Sequence, residues 1–275
     1  MSNLLKFEFR KVLRSKYLYI LLGSAIAFIL FTGLTYLAIG FIMKMADIEA
    51  GVEIIEDLYD SDSYSFTKSA VTGNFMMIIG VFIAIFACED NSHGTSKNII
   101  GKGYNRLQVY FSKYIVSLII TVAISLITTL VAALFGLAAW GADSFANVDD
   151  KLAVVIIGEL LCVIVYHALF FMVSSSIGKM APSIVINLIV PTGVVLVFTV
   201  IDVLINNEDF SFSMLWVEGI LGNFAGSADE KYFASSFILL FVYYAAAQLV
   251  GILVNRRKQY WWVRKNNNSN LTGNH

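Results

Sequence analysis

Long apolar runs separated by short polar connections make up most of this chain. Six stretches, 17–43, 71–88, 109–140, 152–177, 182–205 and 233–254, are almost free of charge. A hydrocarbon core of about 30 Å needs about 17–25 helical residues, because each adds about 1.5 Å and a helix satisfies its own backbone polar groups in lipid. Every run reaches that length. The third, with Lys113 near its start, exceeds one crossing and is expected to project past the interface, while the second is the shortest. The pattern predicts an all-α integral membrane protein with six transmembrane helices across 17–255, an interfacial segment at 1–16 and a basic, Asn-rich tail at 256–275. The first run is 27 residues long. The apolar region of a removable signal peptide spans about 7–15 residues, so a retained helix is expected.

Composition agrees with lipid as the solvent. Of 275 residues, 58% are hydrophobic and 14% charged, against about 45–50% and about 25% in soluble domains. With 19 basic and 20 acidic residues, no net charge draws nucleic acid. The distribution of sign is more informative, because basic residues accumulate on the cytoplasmic side of membrane proteins. Placing the N-terminus inside puts 15 basic residues inside and leaves Lys44, Lys68, Lys151 and Lys231 outside. Both termini are therefore expected in the cytoplasm. The first outer loop then carries Asp47, Glu49, Glu53, Glu56, Asp57, Asp60 and Asp62, read as a solvated acidic face. Cys88 and Cys162 lie in apolar runs without metal-ligand spacing and read as small buried hydrophobes.

Two segments outside the runs carry a pattern of their own. In residues 4–16, Leu5, Phe9, Val12 and Leu13 recur at helical spacing while Lys6, Arg10 and Arg14 line another face, as in a helix lying on the membrane surface. Between the second and third runs, Thr95 can cap a short helix through Ile100, Gly101 or Gly103 can end it, and Asn105 with Gln108 can start the next. A short rigid polar helix held between two membrane helices suits a soluble motor that pushes on them. A structured loop with no partner fits the same residues.

The pattern Glu89, Gly94-Thr95, Lys97-Asn98-Ile99-Ile100, Lys102-Gly103, Arg106 and Ser112-Lys113 resembles the loop of type-2 ABC exporter permeases. The opening Phe7-Glu8-Phe9-Arg10-Lys11 also resembles that family's amphipathic start, and six spans with both ends inside match its layout. Many members place a proline before the Arg, where Gly103-Tyr104-Asn105 stands here. The resemblance implies that the loop is a cytoplasmic coupling helix, with Glu89, Gly94, Thr95, Lys97, Asn98, Ile99, Ile100 and Arg106 as the ATPase-coupling residues. It further implies an ATPase partner in two copies, a second permease copy as homodimer or sibling, contact with membrane lipids, and location in a bacterial plasma membrane. ATP and magnesium would bind the partner, so this chain is expected to hold no cofactor. The Lys-Gly variant of the loop is similar to lantibiotic and peptide-toxin exporters, which implies amphipathic or hydrophobic peptide cargo. Small drugs or lipids are the alternative cargo, and a secondary transporter is the alternative class.

Other residues leave choices open. Residues 210–224 are too short and Gly-broken to cross; they fit either re-entrant outer helices between spans five and six or a Trp-anchored interfacial loop. Glu159 and Asp202 sit near span ends, where they are expected to snorkel, and only His167 is deep, read as a neutral imidazole bonded to a neighbouring helix. Ser174-Ser175-Ser176, Thr128-Thr129 and Asn187 suit helix contacts or a path. Pro191 followed by Gly193 predicts a kink. No phosphate-cradling G-x-x-x-x-G-K-[ST], HExxH or Cys-x-x-Cys occurs, so neither an ATPase nor a metal site is expected.

Overall fold

Helix starts and stops follow local signals that can be named. A computed structural model describes residues 2–46, 63–68, 70, 73–92, 99, 101–141, 152–205, 211–225 and 233–272. Helix α1 spans Ser2–Leu13 and α2 spans Lys16–Ala46. The Ser15 hydroxyl accepts the Tyr17 amide at 3.2 Å, which caps α2 and sets the elbow between the two. A short α3, Ser63–Lys68, precedes α4, Gly73–Ser92. Helix α5, Arg106–Trp140, is 35 residues long and opens on the expected capping box, Asn105 with Gln108, and closes on Gly141 at φ 84°. Helices α6, Leu152–Ile177, and α7, Met180–Ile205, are joined by a turn with Gly178 at φ 69°. A 3-10 turn, Phe212–Leu215, leads into α8, Val217–Ala225, and α9, Phe233–Thr272, follows. No strand occurs among the described residues.

Helix α6 is the hub: α4, α5, α7, α8 and α9 all pack on it. In its most apolar window 61% of residues are buried, against 11–33% in the other candidate spans. The sequence explains this, since α6 is apolar all round apart from Glu159 and His167, and an all-round apolar helix can be enclosed on every side. Close approach uses glycine at two contacts. The Phe224 ring of α8 lies where a Cβ on Gly158 would stand, 2.6 Å away, and the Phe170 ring of α6 lies 3.2 Å from such a Cβ on Gly80. A second, smaller core gathers Phe66 of α3 with Phe135 and Trp140 of α5, ring centroids 5.6 Å apart in each pair.

Among the described residues five helices, α2, α5, α6, α7 and α9, are long and apolar enough to cross a membrane, where six spans were expected. The expected second span falls on α4. Its 20 residues are shorter than the others and end in Glu89, Asp90, Asn91 and Ser92. Helix α9 continues past the expected span into the tail as far as Thr272; no Gly or Pro stands between Gly251 and Thr272 to stop it. Helix α7 is continuous through Pro191.

Candidate functional site

Of the expected coupling residues, Glu89, Ile99 and Arg106 are described, and they lie where α4 ends and α5 begins. Glu89 lies in the last turn of α4 and Arg106 is the first residue of α5. Ile99 is helical and half-buried, and its carbonyl accepts the Lys102 amide at 3.2 Å. Gly103 follows at φ 88°, a left-handed turn that stops the short helix and turns the chain into the Asn105 cap. Gly94, Thr95, Lys97, Asn98 and Ile100 lie outside the described residues, as does the acidic stretch from Asp47 to Asp62.

At the base of this segment the structure assembles an ion cluster from three helices. Lys11 of α1 lies 2.8 Å from Glu89 and 2.6 Å from Asp90, and Lys113 of α5 lies 2.6 Å from the second Asp90 oxygen. The side chains of Asp90 and Lys113 are each only 6% exposed. Lys113 also approaches the Phe86 carbonyl at 3.5 Å and the Phe86 ring at 5.6 Å from its centroid. Asp90 thus ties α1 to both ends of the segment. Glu8 of α1 is fully buried beside the cluster, and neither of its oxygens has a hydrogen-bond partner among the described residues. Burial raises its carboxyl above the ordinary value; Lys113 opposes the rise and Asp90 adds to it. Burial also pulls the Lys11 ammonium down, but its bonds to Asp90 and Glu89 outweigh that and raise it.

Four of these residues, Glu8, Lys11, Asp90 and Lys113, were not among the expected coupling residues. The face of α1 that turns into the protein is not the stripe expected to lie on the membrane, of which Val12 alone is buried. Leu4, Glu8 and Val12 are buried, whereas Phe9 and Leu13 are exposed, because the helix packs against α5 with Glu8 turned toward Lys113. The signal was Lys113 itself: a charge seven residues into a membrane helix needs a partner, and Asp90 and Glu8 were the nearest unassigned carboxylates in the polar ends.

Deeper polar groups reach from one helix to another. The Nε2 of His167 lies 2.8 Å from the Ser117 hydroxyl of α5, the contact to a neighbouring helix that was expected. Asn187 of α7 donates to the Gly80 carbonyl at 3.0 Å and to the Ser174 hydroxyl at 3.1 Å, joining α7, α4 and α6. Cys88 and Cys162 are buried, and the Cys88 thiol lies 3.3 Å from the Ser174 carbonyl. Glu159 does not snorkel; it is 5% exposed, enclosed because α6 is the hub. Asp202 ends near solvent and accepts the Ser211 hydroxyl at 2.8 Å and the Ser213 amide at 2.9 Å, together with the Phe212 amide, so it caps the 3-10 turn. The α8 segment buries Val217, Ile220, Leu221 and Phe224 and is held by Tyr166, which donates to Glu218 at 3.3 Å.

Among the described residues, five helices long and apolar enough to cross a membrane pack around a buried hub, which fits a multi-pass membrane protein. Residues 4–194 match the ABC-2 family transporter protein, and the chain belongs to that family. It is a permease subunit of an ABC exporter, which works with a separate ABC ATPase and is not itself the ATPase. No curated protein matches the chain.

Proposed function

We propose that the segment from Glu89 to Arg106 is the coupling element on which the ATPase docks, and that the permease moves amphipathic or hydrophobic peptides out of the cell. The observation that carries the first part is the double contact of Asp90 with Lys11 and Lys113, which joins α1, α4 and α5 into one body at the root of the segment. A push on the segment is then delivered to both flanking helices together and tilts α4 against the hub. In this reading the ion cluster faces the cytoplasm, as the 15-to-4 split of basic residues requires. Helix α4 is the sixth crossing, α8 is a re-entrant outer helix, and two permeases with two ATPases form the working unit. Peptide cargo is supported by the Lys-Gly loop and by an interior whose deepest ionisable group, His167, is bonded to Ser117.

Ile99 and Ile100 are the apolar anchors for the ATPase groove, with Thr95, Lys97 and Asn98 around them. Truncating anchors of this kind commonly costs about 2 kcal/mol or more, and about 1.4 kcal/mol is tenfold in affinity. The test is Ile99→Ala with Ile100→Ala, read by co-purification of the ATPase and by peptide resistance of cells. Docking should fall about tenfold or more at unchanged membrane abundance. Full docking together with full export would remove the coupling role.

A further inference from the structure

We propose that Glu8 is held protonated beside the Lys11–Asp90–Lys113 cluster and serves as a proton-dependent latch that positions α1 against both ends of the coupling segment. The inference rests on reading 89–106 as the coupling element. It begins with a count of charges. From α1 come Glu8 and Lys11, from α4 Glu89 and Asp90, and from α5 Lys113. Among the described residues two ammonium groups face three carboxylates. The ammonium groups are already engaged at 2.6–2.8 Å with Glu89 and Asp90, and Glu8 is the carboxylate left over.

Its position makes the surplus matter. Glu8 is the middle residue of the inward row Leu4, Glu8, Val12, and all three are buried. Both Glu8 oxygens are enclosed without a hydrogen-bond partner among the described residues. An ionised carboxylate in that state keeps neither water nor a partner, whereas the neutral acid gives up far less on burial. With Glu8 neutral the cluster balances, two charges of each sign. With Glu8 ionised the enclosed charge becomes net negative, and the simplest relief is for α1 to swing out and return the carboxylate to water. The sign follows from linkage: a carboxyl raised in the docked state favours docking at low pH, and that contribution is lost as pH rises through its raised value. Alkalinity on this side of the membrane would release α1, and acidity would lock it.

The test is a distance measurement on the whole permease in lipid nanodiscs. Spin labels replace the exposed Lys6 and Lys102, one on α1 and one on the segment; the native thiols Cys88 and Cys162 are buried and do not compete. At the acid end of a titration from pH 5 to 10 one distance is expected, and the longer, broader distance should gain population as pH rises. Glu8→Gln should hold the short distance at every pH, and Glu8→Asp should titrate as the parent does. A parent that stays flat from pH 5 to 10, or a Glu8→Gln variant that opens with the same midpoint, overturns the latch. ATPase recruitment on the same proteins reads the coupling assignment separately: recruitment that ignores the open population overturns the link to coupling even where the distances titrate as expected.

Discussion

Removing the charge of Asp90 should cost far more than a surface ion pair is worth, and removing Lys113 as well should return most of it. Exposed pairs contribute about 0–1 kcal/mol, whereas taking one partner from a buried pair costs about 3–5 kcal/mol by stranding the other charge. Burial decides between these ranges, since the Asp90 and Lys113 side chains are both 6% exposed. The two lysines are not equivalent. Lys11 keeps Glu89 at 2.8 Å when Asp90 is lost, but Lys113 keeps only the Phe86 carbonyl at 3.5 Å and the face of its ring. Glu8 could stand in by losing its proton, so the variant belongs on a Glu8→Gln background. There Asp90→Asn should lose about 3–5 kcal/mol, and adding Lys113→Met should recover stability to within about 1.5 kcal/mol of that background, as apolar replacement of a buried pair is often neutral. Unfolding in mixed micelles of rising SDS content, followed by circular dichroism and closed as a double-mutant cycle, measures both steps. A loss below about 1 kcal/mol, or a further loss on adding Lys113→Met, would refute the claim that burial governs the cluster.

Further expectations follow from other contacts. His167→Ala should destabilise the bundle by about 2–4 kcal/mol through a cavity and the lost Ser117 bond, yet leave export per folded molecule largely intact; loss of export at normal abundance would make the imidazole functional. Gly158→Ala should cost about 1–3 kcal/mol by pressing a methyl into the Phe224 ring, and Phe224→Leu should relieve it; equal losses with either residue at 224 would discard the contact. Asp202→Ala should speed hydrogen exchange at the Phe212 and Ser213 amides, whose acceptor it removes, and unchanged exchange would show that the 3-10 turn holds without it. Cysteines placed at Glu53 and Asp149 should be labelled from outside intact cells, and labelling at position 102 would reverse the proposed orientation.

What could be read from the sequence depended on whether the signal was local. Apolar runs announced the helices because lipid demands a long uninterrupted stretch, and Asn105 with Gln108 announced the start of α5 because a capping box is complete within four residues. The row that turns inward on α1 was not legible. Leu5 and Leu13 looked as apolar as Leu4 and Val12, and only packing against α5 chooses between the faces. Asp90 looked like a loop residue because its lysines are 79 positions before it and 23 after, a separation that no periodicity spans. Glu159 was misjudged for a similar reason, since its depth depends on α6 being the hub, which is a property of five neighbours. The expected span at 233–254 stops at the basic residues, whereas the helix that carries it has no local stop signal there and continues.

The place of the hub in the chain also bears on how the protein is made. Helices α1, α2, α4 and α5 leave the ribosome before α6 exists, and at about 5–20 residues per second the wait from the end of α4 to the end of α6 is about 4–17 s. Phe75, Ile79 and Ile83 of α4, all fully buried in the finished bundle, have only lipid or their earlier neighbours to face in that interval. The ion pairs of the cluster join residues no later in the chain than Lys113. Nascent α1, α4 and α5 can therefore be clipped together by charge while the apolar centre is still missing, and the inserting α6 meets a half-built cradle with its floor already fastened.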